Sequence, residues 1–159
     1  MERNLFFASR LREVLLNGHW IANTNFKDQL LNINWLQATQ KVGNLNTIAA
    51  LTYHVNYYIK GLLDAFRSGK LDISDKFSFN LPEIKCEADW ENLLSEFLDN
   101  ANKFADLVEG LEDSIFDQPF LDDRYGTYLR NIEGVIEHGY YHLGQITLIR
   151  KLIIHSQQN

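Results

Sequence analysis

Three stretches of this chain carry apolar residues at helical spacing for far longer than a strand ever runs. The first is Ile48-Ala-Ala-Leu-Thr-Tyr-His-Val-Asn-Tyr-Tyr-Ile-Lys-Gly-Leu-Leu-Asp-Ala-Phe, which Asn46 or Thr47 can cap. Leu51, His54, Tyr58, Gly61, Leu62 and Ala65 share a broad face of it. The second covers about residues 88–110, with Trp90, Leu93, Leu94, Phe97, Ala101, Phe104 and Val108 as its inward stripe. The third covers about residues 128–154 behind the cap Thr127, with Ile132, Val135, His138, His142, Gln145, Ile149 and Leu152 on related turns. The polar end Ser-Gln-Gln-Asn, residues 156–159, is expected to fray.

A fourth long helix is expected over residues 3–17, and a short one over 34–41. The first carries Leu5, Phe6, Leu11, Val14, Leu15 and Leu16. It should stop at Asn17-Gly18, where glycine tolerates the left-handed conformation common after a helix end. The second has Asn34 as cap and Trp35 and Leu36 pointing inward. Residues 19–33 are less periodic and read as a structured crossing.

Residues 69–86 are the least helical part of the chain and long for a helix–helix connection. Phe77, Phe79 and Leu81 alternate there, but Pro82 and the lack of a second clear strand argue against a sheet. An ordered crossover pinned by aromatics fits better, and such a link runs the length of a bundle. A second connection, about residues 111–126, contains Pro119 and Gly126. Gly61, inside a helix, costs roughly 1 kcal/mol against alanine; its missing side chain permits a close neighbour. No internal repeat, heptad array or low-complexity segment interrupts the pattern. The expectation is an all-α fold in a single domain, residues 1–159.

Composition narrows the function. A chain of 159 residues suits one core, and 45% apolar with 23% charged residues is ordinary for a soluble globular protein. The formal charge of -6 disfavours nonspecific binding to nucleic-acid phosphates, and no basic run offsets it. No stretch approaches the length of a membrane span. The N-terminus lacks the basic and apolar regions of a secretory signal. Cys86 is the lone cysteine, which fits a reducing compartment. The expected location is the cytoplasm, with neither nucleic acid nor membrane as partner.

The chemistry sits in the histidines. His138 and His142 are four apart on one helix and so face the same way. His54 lies inside another long helix; if the two helices are neighbours, three neutral imidazoles converge. Three protein ligands leave coordination positions open, as in catalytic zinc sites. Two plainer readings compete: a lone core histidine satisfied by a polar partner, and a chance pair on one helix. Gly139 follows His138, so the His-Glu-x-x-His arrangement of metalloproteases is absent.

Asn46-Thr-Ile-Ala-Ala-Leu-Thr-Tyr-His54 on one long helix and His138-x-x-x-His142-x-x-Gln145 on the last make the layout resemble the DinB-like (DinB/YfiT-like) metalloprotein superfamily. The strings Asp75-Lys-Phe-Ser-Phe, Asp89-Trp-Glu, Tyr125-Gly-x-Tyr-x-Arg-Asn and Glu137-His-Gly-Tyr-Tyr-His-Leu-Gly-Gln look like a bacterial branch of it. The resemblance implies a four-helix bundle with long crossover connections, a homodimer, and a divalent metal held by His54, His138 and His142. Some members of that superfamily are transferases that join a small cellular thiol to an electrophile.

Neutral imidazoles suit zinc, nickel, iron or cobalt, and zinc or nickel is the expected ion here. The expected activity is transfer of a low-molecular-weight thiol to a small electrophile. Metal-activated hydrolysis of a small molecule and metal binding without turnover, as in a stress-response protein, are the alternatives. Among the neighbours, Tyr58, one turn beyond His54, is the expected pocket wall. Arg130 suits a substrate carboxylate, against a plain salt bridge as the alternative. Gln145, one turn beyond His142, orients a ligand or substrate, or else bonds another helix. Tyr53, Tyr57, Tyr140 and Tyr141 read mostly as packing residues, Asn56 as a weaker candidate, and Glu137 as lying outside the ligand set. Cys86 has no neighbour that marks it as a nucleophile.

Overall fold

The computed structural model describes residues 2–156, so most of the polar end expected to fray, 157–159, lies outside the described residues. The described residues are all-helical; a single isolated bridge between Pro119 and Thr127 is the only β-type pairing among them. Six α-helices follow in order: α1 Arg3–Arg12, α2 Phe26–Leu30, α3 Trp35–Thr39, α4 Ile48–Ser68, α5 Glu87–Glu109 and α6 Tyr128–Ser156. A π-helical turn over Glu13–Asn17 extends α1 to the expected end. None of the helices is long and apolar enough to cross a membrane.

Caps set the boundaries. Thr47 accepts from the Ala50 amide, Asn25 from that of Asp28, and Asn34 forms a reciprocal capping box with Gln37. Thr127 accepts from the Arg130 amide at the start of α6. Gly69 closes α4 in the left-handed conformation at φ 70°.

Three expectations are corrected. Gly18 is extended, at φ −94° and ψ 158°, not left-handed. It is required because a Cβ there would collide with the Glu13 side chain and backbone as the chain leaves the π turn. Leu36 does not point inward: it is 59% exposed, while Trp35 is half-buried and Ala38 takes the core position. Leu5 and Phe6 on α1 and Leu152 on α6 are also exposed, and Ala8 with Leu11 carries the buried face of α1.

The long helices pack α5 and α6 each against both α1 and α4. Contacts give their directions. Asn4 meets Glu109 and Arg12 meets Asp106, so α1 and α5 are antiparallel. Along α4 and α5 the numbers rise together, from Asn56 with Asn100 to Phe66 with Phe104. Those two helices are therefore parallel, which their connection must make possible.

It does so by returning along α4. Ile73 covers Gly61, Ser74 bonds Tyr57, Asp75 bonds Tyr58 at 2.8 Å, and Phe79 stacks on His54. Gly61 is the expected close approach, since a Cβ there would overlap Ile73 Cγ2. At the start of α5, Trp90 Nε1 donates to the Ile33 carbonyl, and the Trp35 amide donates to Glu87. The core between the long helices is built from Leu11, Leu15, Phe26, Ile59, Phe97 and Phe104, all essentially inaccessible.

Replacing Gly61 with Val should push the return segment off α4 and cost about 1–3 kcal/mol, the usual cost of overpacking. Urea denaturation would measure it, and adding Ile73→Ala to Gly61→Val should recover part of the loss.

Candidate metal centre

Helices α4 and α6 run antiparallel side by side, since Phe66 meets Tyr128 while His54 meets His138 and His142. That pairing brings the three expected histidines together, with candidate ligand atoms all within 4.8 Å of one another. His138 Nε2 lies 3.1 Å from His54 Nε2 and 2.9 Å from His142 Nε2. Two imidazole nitrogens bound to one ion at about 2.1 Å stand roughly 3.0–3.4 Å apart, so His138 stands close to ligand spacing from both of the others. His54 and His142 are buried and His138 is half-buried.

The surroundings fix each ring. His142 Nδ1 donates to Gln145 Oε1 at 2.7 Å, which leaves the lone pair on Nε2, toward the centre. Phe79 stacks on the His54 ring at 4.0 Å and 12°, and Tyr58 presents an edge to both His54 and His138. His54 Nδ1 is buried and completes no hydrogen bond, although the Ser78 backbone lies near enough to favour its proton. A proton on Nδ1 again leaves Nε2 free. The donor set, two buried imidazoles and one half-buried with their Nε2 atoms converging, is close enough to hold a metal ion.

Electrostatics keep these rings neutral. Burial, then His142 and His54, push His138 down from 6.5 to about 4. Burial also lowers His54, followed by the His142 charge and opposed by the Ser78 backbone and Asp75. Burial lowers His142 too, against the bond to Gln145.

The other expected residues separate clearly. Tyr58 lines a cleft of about 420 Å³ with His54, His138, Leu62, Arg130, Asn131, Gly134 and Val135. Its hydroxyl donates to Asp75, and burial followed by that bond raises its pKa. Arg130 lines the same cleft and also makes the salt bridge weighed as its alternative, to Glu137 at 2.9 Å. Glu137 is thereby accounted for outside the ligand set. Gln145 touches His142 and lines a separate hollow with Asn44, Leu45 and Leu148, so it acts on the centre through His142.

Asn56 is a buried packing partner of Asn100. Tyr140 bonds Glu13, Tyr57 bonds the Ser74 backbone, and Tyr141 is exposed with its edge on His142. Cys86 is exposed at the start of α5. Sequence reasoning missed Phe79, Ser78 and Asp75 as parts of the site. Their signals were the aromatic alternation of an aperiodic segment and the string Asp75-Lys-Phe-Ser-Phe that carried the resemblance, neither of which gave them a place beside the histidines.

Because these histidines titrate lower when folded than when unfolded, the unfolded chain takes up protons first on acidification. Stability of the metal-free protein is then complete above pH 6.5 and falls as the pH drops from 6.5 toward about 4. Thermal melts in chelator should show that fall, and His138→Asn should flatten it. A melting temperature independent of pH over that window would show that the imidazoles are not held neutral by the fold.

Compared with protein-family models, curated proteins and solved structures, the chain matches none, leaving the three imidazoles and their surroundings as the basis for a functional reading.

Proposed function

We propose that this chain is a divalent-metal-dependent transferase that joins a low-molecular-weight thiol to a small electrophile. The observation that carries the reading is the convergence of three Nε2 atoms, with His54 and His138 lining an open cleft. His54, His138 and His142 would hold the ion, with zinc or nickel as the fitting metals. An ion on three neutral ligands keeps most of its charge and can hold a coordinating thiol deprotonated near neutral pH.

The chain's own residues do the rest. Gln145 fixes the His142 ring, and the Tyr58 and Phe79 rings hold His54. Arg130 offers a guanidinium to an anionic group on either reactant. The thiol sulfur forms the new bond to carbon, the leaving group departs with the electron pair of the bond that breaks, and the thiol proton passes to water at the cleft mouth. The lone Cys86 points to the cytoplasm. As the resemblance implies, the fold is a four-helix bundle of the DinB-like type from a bacterial branch. It forms a homodimer, for which exposed Tyr141, Leu148 and Leu152 on α6 supply apolar surface.

A second reading has its own support. The ligands bridge α4 and α6, so an ion would clamp two helices and stabilise the fold without any turnover.

Protein purified without a histidine tag and reconstituted with zinc or nickel should bind about one ion. His54→Ala and His142→Ala should each weaken that binding sharply; unchanged affinity in both rules out this ligand set. Gln145→Ala should cost about 10–100-fold in affinity, the usual effect of losing a ligand's outer hydrogen-bond partner.

Incubation with cysteine or a mercaptoalkanol and an alkyl halide should give metal-dependent conjugate that His142→Ala abolishes. Product formed without thiol would indicate hydrolysis instead. A raised melting temperature with no product across the panel would replace the transferase reading with the clamp. Light scattering should give twice the 18.5 kDa chain mass.

A further inference from the structure

Gly134 sits in the interior of α6, where glycine weakens a helix, and nothing in the fold requires it there. A Cβ built on it meets no atom within 4 Å. Gly61 and Gly139 are different, because Ile73 and Val14 press against them, Val14 at 3.1 Å in the second case. Gly134 precedes His138 by one helical turn, on the same face. The open space above it is the cleft itself, with Tyr58 and Leu62 of α4 on one side and Val135 on the other.

The two ends of that cleft differ in chemistry. His54 and His138 close one end, and Arg130 lies at the other. Eight positions of helix separate Arg130 from His138, about 12 Å between their backbones, and the pair with Glu137 draws the Arg130 guanidinium along α6 toward His138. Both amide hydrogens of Asn131 are committed, to the carbonyls of Tyr125 and Thr127, which leaves Arg130 as the donor at that end. Glu137 engages only Nη1 of Arg130, in an exposed pair that a ligand carboxylate can replace.

We propose that Gly134 is the floor of the ligand groove and selects a slender organic carboxylate shorter than the backbone rise between Arg130 and His138, under about 12 Å. The carboxylate binds Arg130, the methylene chain passes over Gly134 between Leu62 and Val135, and the far end reaches the imidazoles. In the transferase reading that far end carries the thiol; the position of the metal-seeking end is the only part that rests on that reading.

The test uses cobalt(II)-reconstituted protein and a series of ω-mercaptocarboxylates, followed by the thiolate-to-cobalt absorption band. Affinity should peak at an intermediate length of no more than about eight methylenes, since the helical rise sets the upper limit of the span. A mercaptoalkanol of equal length should bind at least about tenfold weaker, and Arg130→Met should erase that difference. Gly134→Ala should raise the melting temperature, since alanine is the better helix former and has room, yet weaken the long mercaptocarboxylate. Gly134→Val should weaken it further, with cobalt binding and the 2-mercaptoethanol band unchanged in both variants.

A flat dependence on chain length, or full affinity in both Gly134 variants, overturns the groove. Octanoate titrated into metal-free protein gives a readout that needs no ion. It should shift the Gly134 amide resonance, and Arg130→Met should abolish the shift. No shift, or one that survives the substitution, also overturns the groove. Failure of cobalt to bind while the octanoate shift persists overturns the metal-centre reading and leaves the groove standing.

Discussion

Three imidazole nitrogens aimed at one another set the terms for this structure. His138 Nε2 stands within 3.1 Å of two other Nε2 atoms, and a single ring proton can satisfy only one of those contacts. The remaining lone pairs face each other in a buried setting, where an unmatched polar atom is costly. An electrophile at the centre resolves the conflict: a proton at low pH, a metal ion near neutrality. Burial, which lowers all three histidines, weights the balance toward the ion.

Holding that cluster requires a particular path of the chain. His54 reaches the pair on α6 only because α4 and α6 run antiparallel in contact, and α5 runs parallel to α4 beside them. A parallel neighbour needs a connection that travels back the length of the first helix. The segment from Ile73 to Phe79 makes that journey in contact with α4, and at its far end it lays Phe79 on the His54 ring. The crossover is thus both a topological necessity and a wall of the site. Gly61 couples the two roles, since the segment seats closely only where α4 lacks a side chain.

How much of this could be read from the chain follows from periodicity. The long helices, their caps at Thr47, Asn34 and Thr127, and the inward stripe of α5 all announce themselves, because repeating faces and capping side chains are local signals. The i, i+4 spacing of His138 and His142 is legible for the same reason. Leu36 misleads because a helix of five residues has too few turns to define a face, and Ala38 takes the buried position. Gly18 stops its helix as expected but through a clash with Glu13, a contact created by a π turn that apolar spacing does not reveal. Phe79 and Ser78 escape notice because a return segment has no period, so which of its residues face inward is settled only by the helix beneath it.

The arrangement also runs against what stability alone would select. A core position between two long helices favours leucine or isoleucine, yet His54 and His142 are buried there, and His54 Nδ1 completes no hydrogen bond. Gly134 weakens α6 without relieving any crowding. Tyr58 and Arg130 line an open cleft beside the buried rings. The buried imidazoles and Gly134 each depart from a local rule of folding close to His138, while buried side-chain nitrogens of Arg10 and Arg150, the Thr147 hydroxyl and the uncrowded Gly144 do so elsewhere. Those beside His138 share one cleft, and in the proposed function they are compromises of packing made for the metal centre. On that proposal the neutral donors, the uncrowded Gly134 and the Arg130 cation act together, with α6 carrying two of the three ligands and the track that leads to them.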